Sequence, residues 1–141
     1  MNQSIKFIFL FQLLLPNFTL TPGATLPVTK EQICVKGYSK SVRNISSNKK
    51  LQVFGEYHID KRSDKFEIDH LISLELGGSN NLKNLWPQSY TTKPYNAHLK
   101  DRLESHLHVL VCNGTISLKE AQDKISINWI KTYDKYFGAI K

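Results

Sequence analysis

The sequence predicts an α+β fold, a short two-stranded β-hairpin set among helices, and three observations carry that prediction. Residues 66 to 76, Phe66-Glu67-Ile68-Asp69-His70-Leu71-Ile72-Ser73-Leu74-Glu75-Leu76, alternate apolar with polar on both sides of a central Asp-His and end at Gly77-Gly78-Ser79-Asn80. That is the period-two pattern of two short strands, followed by glycines free to take positive backbone angles. Leu99, Leu103, Leu107 and Leu110 recur at spacings of four, four and three, which puts them on one face of a helix. Ser117 with Glu120 forms a capping box for another.

In chain order, Lys6 precedes the apolar run Phe7-Ile8-Phe9-Leu10-Phe11-Gln12-Leu13-Leu14-Leu15, closed by Pro16-Asn17. The run is too short for a membrane span, which needs about 20 apolar residues, and reads as a signal peptide with cleavage near Ala24. Residues 1–24 are then the signal and residues 25–141 a single domain, secreted or periplasmic, with no membrane partner after cleavage. Residues 25 to 48 read as loop with a helical turn at Lys30 to Cys34. Ser47 caps a helix from Lys49 to His58 that turns Leu51, Phe54 and Tyr57 to the core. Both hairpin strands fall within Phe66 to Leu76, with Glu67 and Asp69 on one face, and Asn81 to Trp86 is a turn or helical piece stopped by Pro87. Asn96 caps the long helix through Val111, Asn113-Gly114 ends it, and the last helix runs from Leu118 to about Trp129 or on to Tyr136.

With 141 residues, 40 % apolar and 22 % charged, the chain suits one globular domain and neither a membrane bundle nor a disordered tail. Its net charge is +7; removing residues 1–24 takes away one lysine and no acid, leaving 18 basic and 12 acidic residues and +6. That surplus favours a polyanionic partner such as nucleic acid, anionic lipid or cell-wall polymer. Cys34 and Cys112 lie in the mature part, and export predicts a disulfide between them. A two-cysteine zinc site is the rival, disfavoured because neither cysteine has a second close by.

The stretch Ile68-Asp69-His70-Leu71-Ile72-Ser73-Leu74-Glu75-Leu76-Gly77-Gly78-Ser79-Asn80-Asn81-Leu82-Lys83-Asn84-Leu85-Trp86-Pro87 resembles the HNH family of nucleases. Asp69, His70, Gly77-Gly78 and Asn84 match its pattern, most closely between Phe66 and Trp86 and less so to Leu103. The resemblance implies a ββα-metal core, a hairpin followed by a metal-gripping helix. It also implies cleavage of phosphodiester bonds in DNA, with RNA as a further substrate.

Phosphodiester cleavage needs an activated water, charge neutralisation at the phosphate and help for the departing oxygen. Asp69 offers a hard oxygen to a divalent ion, and His70 can take a proton from water near neutral pH. By the same resemblance Asn84 belongs to the catalytic set without touching substrate: its amide ties the loop backbone and keeps the His70 strand in register. The family's last ligand position holds Lys93 here, and Asn96 and His98 are the candidates shortly after it. Asn96 suits Mg²⁺ or Mn²⁺, which are favoured, while His98 suits a softer ion such as Zn²⁺ or Ni²⁺.

Lys100, one turn after Asn96, and Arg102 are read as phosphate contacts, with Arg43 and Lys40 adding nonspecific backbone contacts. Trp86 and Tyr90 could stack on bases, though Trp86 reads more simply as core. His106 and His108 read as surface or core-edge residues. The expected molecule is therefore a monomeric exported endonuclease with one divalent ion and DNA as partner. Two other functions compete with it: a catalytically inactive HNH scaffold that only binds nucleic acid, and an effector nuclease restrained by an inhibitor protein.

Overall fold

The computed structural model describes residues 14–60 and 64–141. Lys6 and the apolar run as far as Leu13, on which the signal peptide was read, lie outside them. Among the described residues the elements are α1 (Lys30–Ile33), α2 (Tyr38–Val42), α3 (Ser47–Glu56), β1 (Phe66–His70), β2 (Leu85–Ser89), α4 (Ala97–Cys112) and α5 (Leu118–Phe137). Short 3-10 turns at Leu74–Leu76 and Leu82–Asn84 sit between the strands. The fold is α+β, with a two-stranded antiparallel sheet. Among the described residues no helix is long and apolar enough to cross a membrane.

The core forms where α4 and α5 cross. Leu103, Leu107 and Val111 of α4 meet Ile125, Trp129 and Tyr133 of α5, with Ile33, Ile72 and Leu76 closing the cluster. Asn96 caps α4 as expected, its side chain accepting from the His98 and Leu99 amides. Ser117 caps α5 through the Glu120 amide. At Asn128 the backbone of α5 leaves helical geometry (φ −162°, ψ 92°). The Asn128 side chain then accepts from the Lys131 amide at 3.0 Å, so a fresh N-cap restarts the helix where the sequence offered both Trp129 and Tyr136 as ends. The disulfide Cys34–Cys112 (S–S 1.99 Å, Cα–Cα 5.8 Å) joins the segment after α1 to the end of α4.

Four local expectations are corrected. The second strand is Leu85–Ser89, paired from Phe66↔Ser89 to His70↔Leu85, not a part of residues 66 to 76; Leu74–Leu76 is a 3-10 turn. Pro87 lies within that strand instead of stopping the chain before it. The Tyr90 amide bonds the Lys65 carbonyl and the Leu71 amide bonds the Asn84 carbonyl, so alternation makes Ile68–Pro87 a non-hydrogen-bonded pair where a missing N–H costs nothing. Helix α3 is capped by Ser46, not Ser47, and buries Val53 while Leu51 stays exposed. Helix α2 occupies part of what read as loop.

The boundary at Ala24 also cuts through packed structure. Thr21 is fully buried; its hydroxyl donates to the Leu85 carbonyl at 3.0 Å and lies 2.7 Å from the Tyr57 hydroxyl. The Gly23 amide donates to Lys83, the Ala24 carbonyl accepts from Ser79, and the Trp129 indole donates to the Leu14 carbonyl at 2.9 Å. Residues 14 to 24 thus buttress β2 and α5, and a chain starting at Thr25 would lose every one of these bonds.

Candidate active site

Strand β1 delivers Glu67, Asp69 and His70, and the loop from Leu71 to Asn84 holds its end in place. Gly77 (φ 78°) takes a left-handed turn, and at Gly78 a Cβ would stand 1.7 Å from the Ile72 carbonyl oxygen, so the glycine pair is required on two separate grounds. Asn84 is fully buried and closes the loop as the sequence reading expects. Its Oδ1 accepts from the Ile72 amide at 3.0 Å and the Ala24 amide at 3.4 Å. Its Nδ2 donates to the Ile72 and Ser79 carbonyls at 2.9 and 2.8 Å. One amide, donor and acceptor at once, thereby pins the chain two residues beyond His70.

His70 is only 4 % exposed, and its Nε2 lies 3.0 Å from Asn80 Oδ1. Burial pulls its pKa below the ordinary histidine value, against the opposing hydrogen bond to Asn80, and so favours the neutral ring. Its neighbours define a cleft of about 250 Å³ lined by Arg43, Glu67, Asp69, Ser73 and Asp101 among others. Consecutive residues of β1, Glu67 to His70, line it.

The carboxylates of Glu67, Asp69 and Asp101 offer oxygens that all lie within 4.8 Å of one another. Burial, then the charge of Asp69, holds both Glu67 and Asp101 above the usual carboxylate range. Tyr90 donates to Glu67 Oε2 at 2.9 Å. The Ser73 hydroxyl, in a residue 6 % exposed, has no hydrogen-bond partner, which leaves an unsatisfied oxygen in the wall of the same cleft. Three hard carboxylates under mutual repulsion beside an unpaired hydroxyl fit a divalent cation of the Mg²⁺ or Mn²⁺ type.

The helix therefore contributes Asp101 to the cluster. Of the two residues expected to supply the last ligand, Asn96 caps α4 through its Oδ1, and His98, its ring 5.7 Å from that of Tyr90, is not one of the three clustered carboxylates but lies near enough to Asp101 for its charge to favour the ionised acid. Asp101 was missed because it stands between Lys100 and Arg102, both read as phosphate contacts, and nothing in the local spacing marks it as facing β1. Glu67 was seen to share a face with Asp69, and that spacing was the available signal for it.

Lys100 is a larger correction. It is fully buried, not a phosphate contact on the surface. Its ammonium donates to Asp69 Oδ2 at 2.7 Å, to the His70 carbonyl at 2.8 Å and to Glu104 Oε1, which uses all three of its hydrogens. Burial pulls its pKa down, but Asp69 and Glu104 outweigh that and hold it above the ordinary lysine value, while burial raises Glu104. Arg102 packs on α5 instead, its guanidinium 4.0 Å from the Phe137 ring centre and 3.1 Å from the Tyr133 hydroxyl. Lys40 is exposed on α2 and is not among the residues lining the cleft. Of the four predicted cations only Arg43 faces it. Trp86 is core, at 0 % exposure.

No protein-family model, no curated protein and no solved structure matches the chain.

Proposed function

We propose that this chain is an exported, metal-dependent endonuclease of the HNH class that hydrolyses phosphodiester bonds in DNA. The observation that carries the reading is one cleft lined by His70, Asp69, Glu67, Asp101 and Arg43. It combines a proton acceptor, a set of hard oxygens and a phosphate-binding cation, the three functions the reaction needs. In this reading β1, β2 and α4 form the hairpin-and-helix core, and the Cys34–Cys112 disulfide supports an oxidising compartment.

His70, whose neutral form burial favours, accepts the proton of the attacking water. Arg43 orients the phosphate by charge-assisted hydrogen bonds. Glu67, Asp69 and Asp101 would hold the divalent ion, which when bound polarises the phosphate and stabilises the departing oxygen. Asn84 fixes the backbone beyond His70, and Lys100 fixes both Asp69 and the His70 carbonyl.

The test is plasmid cleavage by the full chain with Mg²⁺ or Mn²⁺, chelator as control, beside His70→Ala and Asp69→Ala. Cleavage that stops in chelator and is lost in both variants is the expected result; intact plasmid under every metal condition refutes the reading. The ion pair that takes up Asp69 Oδ2 favours a second reading, in which the site retains nucleic acid without turnover. Metal-dependent DNA retention without cleavage would select it.

A further inference from the structure

We propose that Asn80 is a positioning residue that fixes the tautomer of His70 and clamps the Arg43 turn against it. The orientation of the Asn80 amide is settled without reference to the histidine. Its Nδ2 lies 2.7 Å from the Val42 carbonyl oxygen, which can only accept, and its Oδ1 lies 3.2 Å from the Asn44 backbone amide, which can only donate. Turning the amide over would set acceptor against acceptor and donor against donor. The atom 3.0 Å from His70 Nε2 is therefore an oxygen, and Nε2 carries the proton. A neutral imidazole has a single N–H, so the lone pair sits on Nδ1.

The residue itself is held from outside the site. The Lys49 ammonium donates to the Asn80 carbonyl at 2.8 Å, anchoring it to α3. The two backbone groups it grips, at Val42 and Asn44, flank Arg43, the cation that lines the cleft with His70. One side chain thus determines which ring nitrogen can take a proton and holds the backbone on either side of Arg43. This is how a buried hydrogen bond usually selects the working nitrogen of a functional histidine.

The catalytic consequence rests on the nuclease reading; the tautomer does not. The experiment is ¹⁵N spectroscopy of the His70 ring in the full chain at a pH where the ring is neutral, followed by kinetics on a DNA substrate. In the wild type, Nε2 is expected as the protonated, pyrrole-type nitrogen and Nδ1 as the pyridine-type one. Asn80→Ala is expected to move both resonances toward averaged values and to lower kcat by about tenfold or more. Asn80→Asp keeps an acceptor for Nε2–H but loses the donor to Val42, so it is expected to keep the tautomer and raise KM through Arg43.

A wild-type ring protonated on Nδ1 overturns the proposal with no variant needed. A folded Asn80→Ala chain with unchanged resonances also overturns it. The expected wild-type resonances together with no cleavage of DNA would uphold Asn80 as the tautomer-fixing residue and sink the nuclease reading instead.

Discussion

Replacing Lys100 with Met tests the architecture of the site at its most loaded point. The substitution keeps an unbranched side chain out to Cε and removes the ammonium of a residue that is 0 % exposed. It strands three acceptors: the Asp69 carboxylate, the Glu104 carboxylate and the His70 carbonyl. Removing one partner of a buried ion pair costs roughly 3–5 kcal/mol, because the remaining charge stays desolvated. Here Glu104, already raised by burial, would take up a proton and shed its charge, so the expected loss is about 4 kcal/mol and not twice that. Urea denaturation followed by far-UV circular dichroism, with the disulfide intact, measures it. In an Asp69→Asn/Glu104→Gln background the same change should cost no more than about 1 kcal/mol, since the stranded charges are gone. A single-variant loss below about 1 kcal/mol, or the same loss in both backgrounds, would refute the account. An exposed phosphate-binding lysine would behave in the opposite way, leaving stability unchanged and lowering the salt dependence of nucleic-acid binding.

Asn84→Ala strands the Ile72 amide together with the Ile72 and Ser79 carbonyls; a destabilisation of about 3 kcal/mol is expected by chemical denaturation. Asn84→Asp, which keeps the acceptor and loses the donor, should recover only part of it. The Cys34→Ser/Cys112→Ser variant opens a link spanning 78 residues, and loop-closure entropy puts its cost at about 4.5 kcal/mol, readable as a fall in the urea midpoint. A chain beginning at Thr25 should be less stable than one beginning at Leu14 by about 4 kcal/mol, at roughly 1 kcal/mol for each of the bonds lost to Lys83, Leu85, Ser79 and Trp129. Equal melting temperatures would show that residues 14 to 24 are dispensable.

What was legible in the sequence was local. Helix α4 announces itself through Leu99, Leu103 and Leu107 and the Asn96 cap, and α5 through Ser117 and Glu120, because periodicity and capping are settled within a few residues. The glycine pair and Asn84 were legible for a related reason: each meets a backbone requirement inside one loop. Strand β2 was not legible. All five of its residues are buried, so it shows no alternation, and only the register against β1 explains how Pro87 is accommodated. Lys100 and Asp101 were misread or missed for a tertiary reason. Helical spacing describes their separation from Asn96, but not that β1 lies against that face and brings Asp69 to the ammonium. Asn80 sits in a stretch whose composition says turn, and its partners at Val42 and Asn44 lie almost forty residues away.

The charges of the cleft make sense of its position in a basic chain. Glu67, Asp69, Asp101 and Glu104 stand around it against Arg43 and the buried Lys100. Burial holds Glu104 toward its neutral acid; with the other three ionised, three carboxylates face two cations, in a protein whose net charge is +7. Left as it is, such a cleft repels a phosphodiester even though the rest of the molecule attracts one. A divalent ion on Glu67, Asp69 and Asp101 matches that local surplus of negative charge, and it would leave Arg43 free to meet the phosphate. Lys100 cannot play that part, because its three hydrogens are spent joining β1 to α4, which fixes the spacing between the carboxylates. The nuclease reading therefore requires the metal for binding at the cleft as well as for chemistry, and Lys100 serves it from inside the fold.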